Sequence, residues 1–154
     1  ESEWGYFITG VKGIEANGAQ NEYWQILIDG EPASVGISQI ELTYGQVLTF
    51  KLDQWYDSFD LVVKNLADEE LFNDNINYLA YKESVLDALK NHEQVKLVTE
   101  IDGDKEVIKS VCDCNLAANT VWYVYKNGEV YRDDLNALTT GYGDTIEIKL
   151  LAIE

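Results

Sequence analysis

Residues 21–52, NEYWQILIDGEPASVGISQIELTYGQVLTFKL, reappear without a gap as residues 119–150, NTVWYVYKNGEVYRDDLNALTTGYGDTIEIKL, at a constant offset of 98. Asn21/Asn119, Trp24/Trp122, Gly30/Gly128, Glu31/Glu129, Tyr44/Tyr142, Gly45/Gly143, Lys51/Lys149 and Leu52/Leu150 are identical pairs. One unit is used twice. The alignment resumes upstream after a two-residue gap, with Ile8 and Val11 facing Ile108 and Val111. Residues 59–105 have no counterpart ahead of the first copy. The expectation is a partial first repeat over 1–57, lacking its N-terminal half, followed by a complete second repeat over 58–154.

Short β-rich runs separated by Gly and Asn turns dominate the pattern. Strands are predicted at about 5–14, 22–29, 46–53, 59–65, 73–81, 95–101, 105–113, 120–126 and 144–152. One helix is predicted from Glu83 to about Asn91, capped by Ser84, with Val85, Leu86 and Leu89 as its apolar stripe. Asp29-Gly30 and Asn127-Gly128 read as type I′ hairpin turns, and Asp102-Gly103 as a third hairpin. The expected class is α+β, mostly β: two β-grasp-like units with a single clear helix, the first unit incomplete. Strand alternation places Trp24, Ile26 and Ile28 on one face and Tyr23, Gln25 and Leu27 on the other. Trp122 and Val124 match the first face, Tyr123 and Tyr125 the second. Both tryptophans are read as core packing.

Totals narrow the function. With 46% hydrophobic residues the chain has material for a packed core, and 28 acids against 11 bases leave a net charge of -17, spread along the sequence. That field repels phosphate backbones and anionic lipid, so nucleic acid is excluded as a partner. No run approaches the roughly 20 apolar residues of a membrane helix, so no membrane insertion is expected. The chain begins at Glu1 and contains no Met, which suggests either a mature, secreted or cell-surface protein whose leader was removed or an excised fragment.

The stretches EWGYFITGVKGIEA and NEYWQILIDGEPASVGISQIELTYGQVLTFKL resemble the small C-terminal β-domain of the cobalamin carriers transcobalamin and intrinsic factor, and its bacterial surface-protein relatives. The features that carry the resemblance are the strand Tyr23-Trp24-Gln25, the hairpin Asp29-Gly30, the crossing segment Val35-Gly36-Ile37 and the turn Tyr44-Gly45. The second copy resembles the family over its whole length, with Tyr123 replacing Gln25 and Asp133-Asp134-Leu135 replacing the crossing. In the carriers this domain closes over a cobalamin held on a helical barrel, which nothing here encodes. The resemblance implies ligand contacts at Tyr6, Tyr23, Gln25 and Tyr44 of the first copy, and a corrinoid (cobalamin) or similar molecule as the ligand.

The remaining chemistry is sparse. Cys112-Asp113-Cys114 would put both sulfurs on one face of a strand, but it lacks the second pair or histidines of a closed zinc site, and a bridge there would be strained. The cysteines are read as small apolar residues. His92, the only histidine, has no legible nucleophile or orienting partner, so an enzyme is not expected. The carboxylate groups at Asp53/Asp57/Asp60, Asp68/Glu69/Glu70, Asp102/Asp104 and Asp133/Asp134 do not follow a calcium-loop spacing.

An incomplete first unit leaves the face of Trp24, Ile26 and Ile28 without cover from its own repeat. The second copy, a bound N-terminal half or a neighbouring subunit must supply it, so an oligomer or strand-exchanged assembly is expected. Two functions follow. One is a non-enzymatic extracellular module binding a small molecule or a protein through an aromatic face with Tyr23, Gln25, Tyr123 and Tyr125. The alternative is a structural or adhesive module that assembles by β-strand complementation into dimers or fibres. On this assignment of faces, Tyr23→Ala weakens ligand binding without unfolding the protein, whereas Trp24→Ala lowers its stability in urea denaturation.

Overall fold

Two turn dipeptides set where each repeat reverses. Asp29 (φ 51) and Gly30 (φ 87), and Asn127 (φ 52) and Gly128 (φ 83), all hold positive φ, as both central positions of a type I′ turn require. A computed structural model describes residue 3 and residues 5–153, and the chain divides into two compact units between Trp55 and Tyr56.

The first unit contains β1 (Gly10–Val11), β2 (Ile14–Glu15), β3 (Glu22–Ile28), β4 (Glu31–Pro32) and β5 (Leu48–Gln54). β1 and β2 form a small hairpin, and the other three form an antiparallel sheet in the order β4-β3-β5. β5 is therefore an edge strand. The single proline, Pro32, lies on the opposite edge in β4, where a missing amide is tolerated.

The second unit contains β6 (Asp57–Lys64), β7 (Glu70–Tyr78), helix α1 (Val85–Asn91), β8 (Val98–Asp102), β9 (Lys105–Val111), β10 (Cys114–Asn115), β11 (Thr120–Lys126), β12 (Glu129–Val130) and β13 (Thr145–Ala152). Its main sheet runs β12-β11-β13-β6-β7, with β13 parallel to β6 and every other pair antiparallel. First and last strands lie side by side at the centre, which is the β-grasp order. The protein is α+β and mostly β. Ser84 caps α1 through a capping box, its Oγ accepting from Asp87 N at 3.1 Å while Asp87 Oδ2 accepts from Ser84 N at 3.1 Å.

The α1 residues Val85, Leu86, Ala88 and Leu89 join Phe59, Leu61 and Val63 of β6 and Ile146, Ile148 and Leu150 of β13 in one buried apolar cluster. Every residue of that cluster lies in the second unit.

The duplication extends to individual hydrogen bonds. Val47 N donates to Asp29 Oδ1 at 2.8 Å, and Thr145 N donates to Asn127 Oδ1 at 2.9 Å. Ala33 N donates to Ile26 O and Tyr131 N to Val124 O, while Ala16 N donates to Thr9 O and Leu116 N to Lys109 O. Local geometry is shared although burial is not. Trp122 is 7% exposed, whereas Trp24 is only half-buried. The reading of both tryptophans as core thus holds for Trp122 and is corrected for Trp24.

Four local expectations are also corrected. The strand expected over 5–14 is the short hairpin β1–β2, because Lys12 (φ 51) and Gly13 (φ 78) turn the chain between Val11 and Ile14. The strand expected at 73–81 is β7, displaced N-terminally. Asn65 Oδ1 accepts from Ala67 N and Glu69 N, closing the β6–β7 turn early, and Leu79 O accepts from Lys82 N and Glu83 N, ending the strand. In the third hairpin Asp102 pairs with Lys105, so the turn residues are Gly103-Asp104, with Gly103 at φ 66. Cys112-Asp113 is not strand: both residues have positive φ (51 and 60), and Val111 pairs with Cys114 across a turn that repeats Lys12-Gly13. The two thiols therefore do not project from one strand face.

This difference in burial separates the tryptophans energetically. Trp122→Ala is expected to destabilise the second unit by about 3–5 kcal/mol, and Trp24→Ala to cost less than half as much, in urea denaturation of the intact chain.

Candidate functional site

Glu106 on β9 stands beside a cleft of the second unit. Its Oε1 accepts from Lys90 Nζ of α1 and from Thr99 Oγ1 of β8, and its Oε2 accepts from Asn136 Nδ2 at 2.9 Å. Helix, hairpin and crossing segment thus meet at one carboxylate. The Lys90 ammonium first, and then the Thr99 hydroxyl, hold the Glu106 carboxyl at about 2. A group ionised so firmly is a structural anchor, unsuited to proton transfer near neutral pH.

The cleft has a volume of about 600 Å³ and lies between the β8–β9 hairpin, β11 and residues 130–135. Its walls include Ile101, Val107, Val121 and Val130, and its rim carries Glu100, Lys105 and Arg132. Apolar walls with a few charges at the mouth are the usual composition of a small-molecule site. Trp122 lines the cleft, and its buried indole N–H has no acceptor among the described residues. The corresponding N–H of Trp24 donates to Ile14 O at 3.2 Å. A buried orphan donor costs about 1–3 kcal/mol.

The crossing segment is fixed by a short helical turn, Leu135–Ala137. Asp134 caps it by accepting from Asn136 N, and Tyr131 Oη donates to Asp134 O at 3.1 Å. Burial, then the nearby Asp133 and Asp134 carboxylates, push the Tyr131 hydroxyl up from its ordinary value. The first unit builds the same turn at Ile37–Gln39, where Ile37 N donates to Tyr6 O and Tyr6 N donates to Ser38 Oγ. Gly36 (φ -68, ψ 163) and Asp134 (φ -61, ψ 133) share one extended conformation. Replacing Val-Gly-Ile by Asp-Asp-Leu therefore keeps the crossing.

A smaller cleft, about 240 Å³, lies at the equivalent place in the first unit, lined by Tyr6, Phe7, Ile8, Trp24, Ile26 and residues 33–36. At an offset of 100 Tyr6 stands where Glu106 stands. The six candidates from the sequence do not converge. Tyr6 lines the cleft with Trp24 and Ile26, while Tyr23 and Gln25 alternate to the other face, where Tyr23 packs on Trp55 with ring centroids 5.8 Å apart. Tyr44 stands fully exposed at a turn. Tyr123 borders the second unit's cleft and neighbours Tyr125 at 6.4 Å, the two lying opposite Lys149 and Glu147 of β13. Strand alternation and the turn thus place Tyr6 and Tyr44 apart from Tyr23 and Gln25.

Glu106, Tyr131 and Arg132 were not singled out by the sequence. Extending the repeat alignment to the positions facing Tyr6 and Ala33 would have pointed to the first two.

Cys112 and Cys114 are unbridged and pack against the core, and burial pushes the Cys112 thiol up to about 11. His92 sits edge-on to Phe72 at 5.3 Å, and its Nδ1 accepts from Gln94 N and Val95 N. Among the described residues no group of three or more His, Cys, Asp or Glu is placed to hold a metal, and no helix is long and apolar enough to cross a membrane.

Residues 1–54 match a family described as a domain of unknown function, DUF4430. No curated protein matches the chain. The match covers the first unit, whose turns and hydrogen bonds the second unit repeats.

Because the folded Glu106 carboxyl lies near 2 and its ordinary value is 4.5, its contribution to stability is complete above about pH 5 and is lost as pH falls toward 2. Glu106→Gln is expected to lower stability at pH 7 and to flatten the loss between pH 5 and 2, as read by urea midpoints across that range.

Proposed function

We propose that the chain is a non-enzymatic binding module that takes its ligand in the cleft beside Trp122. The observation that carries this reading is the recurrence of a cleft at equivalent residues of both units, flanked each time by the crossing segment and the repeated tryptophan. A feature kept through duplication while the side chains around it diverged is a scaffold for recognition.

The resemblance to the cobalamin-carrier β-domains extends the proposal to a flat, amphipathic ligand of the corrinoid kind, held by an exported or surface-attached protein. Residues present in the cleft fit an edge-on contact. Val107, Val121 and Val130 would hold an apolar ring system, and Arg132 and Lys105 would supply donors for polar amides at its periphery. His92 does not line the cleft, so this contact supplies the cobalt with no imidazole from this chain.

Equilibrium dialysis of the intact chain against cyanocobalamin, read by corrin absorbance, tests both parts. Saturable one-to-one uptake that Val107→Asp weakens at least tenfold, with Tyr125→Ala within twofold of the parent, is the expected result. Loss of uptake from Tyr125→Ala alone moves the site to the aromatic sheet face. No saturable uptake rejects the corrinoid, and native mass spectrometry of the purified protein then reports which other small molecule, if any, it carries.

A further inference from the structure

The two units present the same apolar sheet face in opposite states. In the second unit Trp122, Val124, Ile146, Ile148 and Leu150 are all buried, with Ile148 at 1% exposure and Leu150 at 4%. Their counterparts in the first unit are Trp24, Ile26, Leu48, Phe50 and Leu52, none of them buried, with Phe50 at 36% and Leu52 at 37%. The side chains are as apolar as those they match. Only the cover differs.

What provides that cover in the second unit is visible. β13 pairs on one side with β11 and on the other, in parallel, with β6, from Thr145 opposite Asp60 to Lys149 opposite Lys64. In the strand-strand-helix segment β6-β7-α1, β6 extends the face with Phe59, Leu61 and Val63, and α1 packs Leu86 and Leu89 against it. Among the described residues β5, the counterpart of β13, pairs only with β3. It has a strand edge and an apolar face of the shape that β6-β7-α1 fills one repeat later.

We propose that β5 and the face of Trp24, Ile26, Phe50 and Leu52 are a docking surface for a strand-strand-helix segment of the β6-β7-α1 type. It runs parallel to β5 and is carried on polypeptide N-terminal to this unit, in the order the second unit uses. Counting disfavours a second copy as donor. Each chain has two such sheets and, among the described residues, one such segment already engaged with β13, so exchange between copies leaves one sheet per chain uncovered. The segment would also differ from β6-β7-α1 at one point. Lys90 of α1 is paired with Glu106, but the first unit has Tyr6 at that position, so its natural occupant does not bring a lysine needing a carboxylate there.

The test compares the 154-residue chain with the same chain carrying a second copy of residues 56–100 fused ahead of residue 1, which preserves the repeat spacing. Amide hydrogen exchange is followed at 49–53 of β5, with the counterparts at 147–151 of β13 as the internal reference. The expected result is rapid exchange in the 154-residue chain and at least 100-fold slowing in the fusion, with a further slowing of about fivefold on Tyr6→Glu, which gives the added lysine a partner. Leu61→Asp with Val63→Asp in the added copy alone is expected to abolish the slowing. Absence of slowing in the fusion, with and without Tyr6→Glu, overturns the proposal. So does β13-like protection of β5 in the unfused chain, whether it grows with protein concentration, which assigns the face to a second copy, or is independent of it, which assigns the cover to the chain itself.

Discussion

A β-sheet with one apolar face is stable only when something covers that face, and the second unit depends on how it is covered. The parallel pairing of β13 with β6 brings a strand to the centre of the sheet and, through β7, directs α1 across it. Five repeat-derived side chains lose their water there. At about 1.5–3 kcal/mol each, an upper bound, their burial is on the order of 10 kcal/mol, comparable to the whole net stability of a typical domain. The first unit has the same strand, turn and apolar pattern without that pairing, and none of its residues enters the buried cluster.

Comparison of the two units separates local from non-local causes within one molecule. Turn geometry, side-chain-to-backbone bonds and the register of β3 with β5 reproduce those of β11 with β13 almost bond for bond. They depend on neighbours in sequence and on hairpin closure, which duplication copies intact. Burial depends on partners far along the chain and is not copied. The positions that diverged follow the same division: Glu106 bonds a lysine of α1, and Tyr6 occupies the equivalent place in a unit that has no α-helix among its described residues. The cleft beside the crossing segment survives in both, because a capped helical turn and a strand define it.

How far the sequence could be read follows from the range of each interaction. The capping box at Ser84 and the type I′ turns at Asp29-Gly30 and Asn127-Gly128 were legible because each is decided within four residues. Cys112-Asp113 was misread as strand because cysteine rarely adopts positive φ, and only the repeat of Lys12-Gly13 reveals the turn. The candidate tyrosines were chosen by residue type along strands. Alternation then sent Tyr23 away from Tyr6, and the fold assembled the cleft from residues such as Tyr131 and Arg132 that lie on connections.

By itself the amino-acid sequence determined the duplication, the mostly-β class, the reversals of the chain and the helix start, since these rest on periodicity and on backbone preferences of neighbouring residues. Only the tertiary structure decided which tryptophan is buried, which carboxylate anchors three elements and which sheet edge remains open. Those outcomes require pairing across tens of residues, where the free energy depends on which surfaces meet rather than on what any one segment prefers.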